Sequence, residues 1–168
     1  MTAGKTITHS GRVRNMASVY LRRGSDILLL YRQGSSIVNN LWIGSAGGHF
    51  EIADQYDAKS CVLRELQEEL NLSVDSLRNL TLRYVTIRYT NGELRQNYYF
   101  FADLIAPETG CPVSNEGTTK WFSLPDLDDL PMPFTARFMI DHYIAIGQYT
   151  DALYGGIADS TSVTFIKL

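Results

Sequence analysis

The most regular hydrophobic pattern in the chain lies between Asp57 and Asn71. Apolar residues recur there at every fourth position, at Ala58, Val62, Leu66 and Leu70. This spacing predicts an amphipathic helix with one buried stripe. Cys61 falls on the apolar side of the same segment, where we expect it to pack as a small buried hydrophobe.

Alternating and continuous apolar runs elsewhere predict strands. Two runs, 80–89 and 94–105, flank Asn91-Gly92, which is a strong hairpin signal. The many aromatic residues of this hairpin are expected to serve the core. The other predicted elements are strands over 17–21 and 26–31, a short apolar segment over 41–43, a loop over 106–119, a helix over 134–146 ended by Gly147, and an edge strand or a tail over 163–166.

Composition sets the broad class of protein. With 168 residues, 45% of them hydrophobic, the chain suits one domain over 1–168, with a loose leader over 1–14. The net charge of −3 argues against binding of a nucleic-acid polymer, although it allows a nucleotide that arrives with metal. No segment reads as a signal peptide or a membrane span, so we expect a cytoplasmic protein. Monomer and homodimer remain open.

The predicted first helix carries an unusual group of charges. Glu65, Glu68 and Glu69 are spaced at i, i+3 and i+4, so their side chains cluster beside the apolar stripe. Arg64 is the local counter-charge within the segment. Three clustered carboxylates repel one another, and a divalent cation would reverse that repulsion, because magnesium prefers oxygen ligands. The alternative is a solvated acidic helix face.

Small residues precede this helix. Gly44, Ser45, Ala46, Gly47 and Gly48 follow the short apolar segment that contains Trp42. Glycines let the backbone approach a ligand closely, but they also serve ordinary tight turns. We therefore read the segment as a glycine-rich turn whose importance depends on the acidic helix after it.

The predicted first helix contains the run Arg64-Glu65-Leu66-Gln67-Glu68-Glu69-Leu70-Asn71-Leu72, and Gly48 lies before it. This arrangement resembles the Nudix box, G-x5-E-x7-R-E-U-x-E-E-x-G-U, of the MutT-like pyrophosphohydrolases. Trp42, Glu116 and Trp121-Phe122 also match the usual layout of that family. The resemblance covers roughly residues 15 to 146. It implies a mixed α+β fold, an α/β/α sandwich with a mixed, curved sheet between helices.

The box departs from the family pattern in its loop. Two extra residues lie between Gly48 and Arg64, and the first glutamate of the motif is missing. Counting from the glycine puts Asp54 in its place and counting from the arginine puts Tyr56 there, while Asp57 is a third stand-in by charge. We predict that Asp57 or Asp54 pairs with Arg64. Asn71 replaces the last glycine, which is a mild change because asparagine tolerates the left-handed conformation.

The resemblance also implies roles for individual residues. Glu65, Glu68 and Glu69 would bind Mg²⁺ (Mn²⁺ is the alternative), and one of them would serve as the base. Gly48 would offer its carbonyl oxygen to the metal, and Arg64 would orient the helix. Glu116 would bind a further metal or activate water, unless it is an ordinary solvated loop residue.

The implied reaction is metal-assisted hydrolysis of a nucleoside diphosphate-linked small molecule. Our first choice of substrate is a nucleoside triphosphate, for example an oxidised purine nucleotide such as 8-oxo-dGTP. Segment 131–136 lies where related proteins contact the base, but it lacks paired aspartates, which weakens the oxidised-guanine hypothesis. Nucleotide sugars such as ADP-ribose, and a non-catalytic nucleotide-binding module, are the alternatives.

Overall fold

The fold is described from a computed structural model for residues 11–34, 39–105 and 110–168. The strands in these ranges are β1 (Arg12–Arg23), β2 (Asp26–Arg32), β3 (Leu41–Ile43), β4 (Ala46–His49), β5 (Leu77–Thr90), β6 (Glu93–Leu104), β7 (Gly117–Ser123), β8 (Tyr154–Ala158) and β9 (Val163–Lys167). The two α-helices are α1 (Ala58–Leu70) and α2 (Phe134–Ala145).

All of these strands join one mixed sheet. Its order is β3-β2-β1-β6-β5-β8-β9, with β4 paired to β1 and β7 paired to β2. The β1–β6 and β5–β8 pairs are parallel, and the other pairs are antiparallel. Strands β5 and β6 form the predicted hairpin at Asn91-Gly92, where both turn residues have positive φ. Two such residues are what a type I′ turn requires, so this prediction is confirmed.

Helix α1 covers one face of the sheet and has the predicted bounds. Asp57 caps its N-terminus by accepting a hydrogen bond from the Ser60 N–H at 2.8 Å. Asn71 caps the C-terminus in the left-handed conformation, with φ of 53°. The buried stripe packs against residues of β1, β2 and β6, and its members are Cys61, Val62, Leu66 and Leu70. The sequence pattern therefore determined both ends and the buried face.

Helix α2 covers the opposite face. Its buried residues Ala136, Met139, Ile140 and Tyr143 pack with the aromatic side chains Tyr20, Tyr84, Tyr99 and Phe101 of the sheet. Most of the hairpin aromatics are thus core residues, as expected. A helix on each face of a mixed sheet is the predicted α/β/α architecture.

Several predicted boundaries were wrong. Strand β1 begins at Arg12, so residues 12–14 are not part of a leader; residues 1–10 lie outside the described ranges. Residues 106–109 of the predicted loop are also outside them, and the loop ends earlier than expected because Gly117 already pairs with Arg32 in the sheet. The predicted glycine-rich turn contains β4, whose small residues pair with β1.

The C-terminal part of the chain adds two strands. The sequence did not predict β8, because Gly155 and Gly156 have no side chains that could show the apolar and polar alternation of a strand. Residues 163–166 form the edge strand β9 rather than a tail. Helix α2 ends at Ala145, and a short 3-10 turn begins at Gly147. No helix in the described ranges is long and apolar enough to cross a membrane.

Candidate functional site

The site is built around β4, which pairs with β1 and packs against α1. Gly47 pairs with Ser18 in β1, and its N–H donates to Oε2 of Glu69 at 3.0 Å. A Cβ atom on Gly48 would come within 2.1 Å of Oε1 of Glu65. The two glycines therefore allow the carboxylates of α1 to lie against the backbone of β4.

The three glutamates of α1, here called the glutamate cluster, differ in burial. Glu65 and Glu69 are 9% and 8% exposed, whereas Glu68 is exposed. Burial raises the pKa of Glu65, against the opposing effect of Arg64. Burial, together with Glu65 and Glu116 nearby, raises the pKa of Glu69 to about 7. The cluster therefore holds negative charge that water solvates poorly.

Arg64 is held mainly by Asp54. Its Nε and Nη2 donate to the two carboxylate oxygens of Asp54, each at 3.0 Å, in a bidentate pair. Asp54 is 2% exposed, and hydrogen bonding from Arg64 lowers the pKa of its carboxyl group. Of the two predicted partners, Asp54 thus pairs with Arg64, and Asp57 caps the helix instead.

Arg64 also reaches the glutamate cluster and β4. Its Nη1 donates to Glu65 at 2.8 Å and to Glu68 at 3.2 Å, and Nη2 donates to the carbonyl oxygen of His49 at 3.1 Å. Its hydrogen bonds with Asp54 and Glu65 raise the pKa of the guanidinium, which stays charged. One cation therefore fixes the position of two cluster carboxylates relative to β4.

Glu116 reaches the same region from the segment before β7. Asn115 anchors this segment to the end of α1, because its backbone N–H donates to the Glu69 carbonyl and its side chain donates to the Glu68 carbonyl. Glu116 forms an ion pair with Arg32 at 2.7 Å. The structure therefore brings Glu116 close to the glutamate cluster, although 47 residues separate it from Glu69.

A cavity of about 210 Å³ opens beside β4 on the α2 side of the sheet. Gly44, Ala46 and Gly47 form part of its wall, and Arg32 lies at the same wall. Its opposite wall includes Phe134 and other residues at the start of α2. The cavity and the glutamate cluster thus share β4 as a common boundary.

Except for Thr135 of the predicted base-contact segment, the polar side chains that line the cavity were not among the predicted site residues. Thr135 is in hydrogen-bond contact with Tyr99 at 2.8 Å and accepts from Asn97 at 3.4 Å. Arg14, Arg88 and Arg95 are further polar residues of the lining. Side chains alternate between the two faces of a strand, so the sequences of β1 and β6 could have placed these residues on one face of each strand. Only the pairing of the strands in the sheet brings them together. The predicted base-contact segment does reach this cavity, through residues 133–136.

A divalent cation fits the chemistry of the glutamate cluster. The donors are carboxylate oxygens, and the raised pKa values of Glu65 and Glu69 mark buried negative charge that a cation would neutralise. Within the described ranges, no group of three His, Cys, Asp or Glu side chains already has metal-binding geometry. Glu65 and Glu68 turn to Arg64 instead.

Comparison with known proteins identifies the family. The model of the NUDIX domain matches residues 12–143, which is most of the chain. No curated protein sequence matches the chain significantly. The fold is similar to a MutT protein from Bacillus halodurans, with a TM-score of 0.64 and 18% identity over 90% of this chain and 97% of that one.

Two further solved structures share this fold. A MutT Nudix hydrolase from Burkholderia pseudomallei has a TM-score of 0.58 and 23% identity, over 77% of this chain and 97% of that one. An Ap4A hydrolase from C. elegans has a TM-score of 0.61 and 18% identity, over 82% of this chain and 99% of that one. The chain therefore belongs to the Nudix family, as its box predicted, and it is a hydrolase of phosphoric anhydride bonds. Nudix hydrolases generally use divalent metals.

Proposed function

We propose that the protein is a magnesium-dependent pyrophosphohydrolase that cleaves a nucleoside diphosphate-linked small molecule in the cytoplasm. The observation that carries this proposal is the glutamate cluster, which shares β4 with a cavity of about 210 Å³. The cluster would take the diphosphate with its cations, and the cavity would take the nucleoside.

The glutamate cluster and the Gly48 carbonyl oxygen would hold the magnesium. When bound, Mg²⁺ neutralises phosphate charge and lowers the pKa of a bound water. Arg64 acts as a positioning residue, because it links Glu65 and Glu68 to Asp54 and to the β4 backbone. Glu65 or Glu68 would accept a proton from the attacking water.

Glu116 is the candidate for a second acidic role. It follows Asn115, which is hydrogen-bonded to the backbone carbonyls of Glu68 and Glu69 at the end of α1, and its charge contributes to the raised pKa of Glu69. Its ion pair with Arg32 holds it at the cavity wall. We propose that it orients water or holds a further cation during turnover.

The cavity would bind the base through stacking and hydrogen bonds. Phe134 and Tyr99 offer aromatic surface, and Asn97 offers both an amide donor and an acceptor. An oxidised purine nucleoside triphosphate such as 8-oxo-dGTP remains our first candidate. The similarity to an Ap4A hydrolase, and the arginines of the cavity, favour a dinucleotide or an ADP-ribose derivative as a second candidate.

Hydrolysis of a nucleotide panel with Mg²⁺, with Mn²⁺ and without metal tests the proposal. The panel should contain nucleoside triphosphates, 8-oxo-dGTP, ADP-ribose and diadenosine tetraphosphate, with products separated by ion-exchange chromatography. We expect a diphosphate linkage to be cleaved only when metal is present. Tight nucleotide binding without metal and without any cleavage would instead identify a non-catalytic binding module.

A further inference from the structure

Three arginines form a row across neighbouring strands at the far end of the cavity. Arg14 in β1 lies directly opposite Arg95 in β6, and Arg95 lies directly opposite Arg88 in β5. All three line the cavity, so they share one face of the sheet. Like charges that are directly opposite each other on paired strands destabilise a sheet. This arginine row is therefore an arrangement that the fold alone does not favour.

One carboxylate balances part of this charge. Glu93, which is 8% exposed, contacts Arg14 at 3.1 Å and Arg95 at 3.3 Å, and it also contacts Arg12 at 3.3 Å. Among the described residues, these contacts leave most guanidinium N–H groups of the row without a partner, because each guanidinium carries five. Glu93 thus holds the arginines in place without neutralising them.

Arg88 packs on an aromatic ring instead of pairing with Glu93. Its guanidinium carbon lies 4.0 Å from the centre of the Phe134 ring, and no ion pair joins it to a carboxylate in the described part of the chain. Stacking on an aromatic face fixes the plane of the guanidinium and leaves its N–H edges free to bind an anion. The row therefore presents pre-oriented donors to the cavity.

The distance between the arginine row and the glutamate cluster determines the length of a ligand that could contact both. Arg14 lies four residues before Ser18, which pairs with Gly47 beside Glu69. Four residues of a strand cover roughly 13 Å. Met16 and Asn97 line the cavity between these two ends. The separation leaves room for a nucleoside between a diphosphate at the cluster and an anion at the row.

We propose that the arginine row binds a second phosphate group of the substrate, one that is not hydrolysed. This inference rests on the proposed function, since it assigns the cleaved diphosphate to the glutamate cluster. The substrate would be a nucleotide that carries phosphate on both sides of a nucleoside, in place of a simple nucleoside triphosphate such as 8-oxo-dGTP. Phosphate suits the row because guanidinium groups bind its oxygens in a bidentate geometry.

Anion binding by the metal-free protein tests the row separately from catalysis. Metal is removed on a chelating resin, so that no polyanionic chelator competes, and inorganic diphosphate is titrated calorimetrically at low salt. The bare glutamate cluster repels this anion, so binding reports on the row. We expect the Arg88→Gln/Arg95→Gln double variant to bind at least about tenfold more weakly than wild type.

Two control variants complete the measurement. Arg78→Gln removes an exposed arginine of β5 far from the cavity and should leave the affinity unchanged. Arg88→Lys/Arg95→Lys keeps the charge and should retain part of the binding, which guards against a variant that fails to fold. Equal affinity of wild type and the glutamine double variant for diphosphate would overturn the proposal.

A matched pair of nucleotides then tests the placement of the second phosphate. NADPH and NADH differ by one ribose phosphate, and both contain a diphosphate. Metal-free wild type should bind NADPH at least about tenfold more tightly than NADH, and the glutamine double variant should lose this preference. No preference in wild type would contradict the proposal. Absence of metal-dependent hydrolysis would instead count against the proposed function and leave these binding results valid.

Discussion

Two charged regions of the molecule, the glutamate cluster across β4 from the cavity and the arginine row in the cavity wall, have opposite signs but the same construction. At the glutamate cluster, Arg64 is shared by Asp54, Glu65 and Glu68. At the arginine row, the carboxylate of Glu93 is shared by Arg14 and Arg95 of the row and by the neighbouring Arg12. In each region a single buried or half-buried counter-charge orders several like charges and leaves an excess. Such an excess is unfavourable until a ligand of the opposite sign arrives.

The difference between the regions lies in the ligand that each can accept directly. The arginine row can bind phosphate without help, whereas the glutamate cluster needs cations between itself and phosphate. The two regions should therefore respond differently to metal, to free anions and to loss of their central counter-charge. The following predictions test this contrast, from the largest expected effect to the smallest.

The largest effect is expected from Glu69→Gln on metal-dependent hydrolysis. Loss of one cluster carboxylate should lower kcat by about 100-fold or more, since transition-state charge loses part of its stabilisation. Asp75→Asn, which changes an exposed carboxylate far from the cavity, is the matched control and should keep wild-type turnover. Steady-state kinetics with the best substrate of the panel measures both. Unchanged turnover in Glu69→Gln would remove it from the proposed metal site.

Arg64→Ala should destabilise the protein by about 3 kcal/mol, because it leaves the buried Asp54 carboxylate without its partner. Urea unfolding at pH 7 measures this change. The arginine lowers the pKa of Asp54, so the pair stabilises the folded state above the unfolded Asp pKa and loses this contribution as the pH falls below about 4. The difference between wild type and variant should therefore shrink in acid. A difference that is constant with pH would contradict the assigned pair.

Glu93→Gln is the corresponding change at the arginine row. It should destabilise the protein by about 1 kcal/mol, because the arginines that lose their carboxylate partner are partly exposed. Added inorganic diphosphate should restore more stability to this variant than to Arg64→Ala, since an anion can replace the lost carboxylate. Thermal unfolding of the metal-free variants with and without diphosphate measures this. If diphosphate stabilised both variants equally, the two regions would not differ in their ability to bind an anion, which would contradict the prediction.

The smallest effect concerns the metal-free protein. Because the folded-state pKa of Glu69 is raised to about 7, ionised Glu69 disfavours folding above its unfolded pKa. Glu69→Gln should therefore be more stable than wild type at pH 8, by on the order of 1 kcal/mol, and the gain should disappear near pH 4. Unfolding with metal removed measures it. If the variant were less stable than wild type at pH 8, the contacts of Glu69 in the folded protein would already offset the cost of burying its charge, which would contradict the prediction.

The sequence predicted α1 more completely than any other element. Its apolar spacing and the left-handed conformation at Asn71 are local properties, which can be read from consecutive residues, whereas the capping role of Asp57 was not predicted. The hairpin at Asn91-Gly92 was predictable for the same reason. Strand β8 was missed because its Gly155-Gly156 pair has no side chains that alternate.

The candidate site could be predicted only in part. The glutamate cluster follows from the helical repeat, but the partner of Arg64 does not. The loop before α1 has two extra residues, and its 3-10 turn over Ile52–Asp54 decides that Asp54, and not Asp57, faces Arg64. Side-chain direction in an irregular loop depends on contacts with the rest of the fold, which sequence spacing does not contain.

The sequence by itself determined the helix with its three glutamates, the glycines that precede it and the family to which the chain belongs. Only the tertiary structure decided that Glu116 reaches the glutamate cluster and that Arg14, Arg95 and Arg88 form a row. Helical neighbours follow from the periodicity of one segment. Neighbours across paired strands follow from register, and register is set by the packing of the whole sheet.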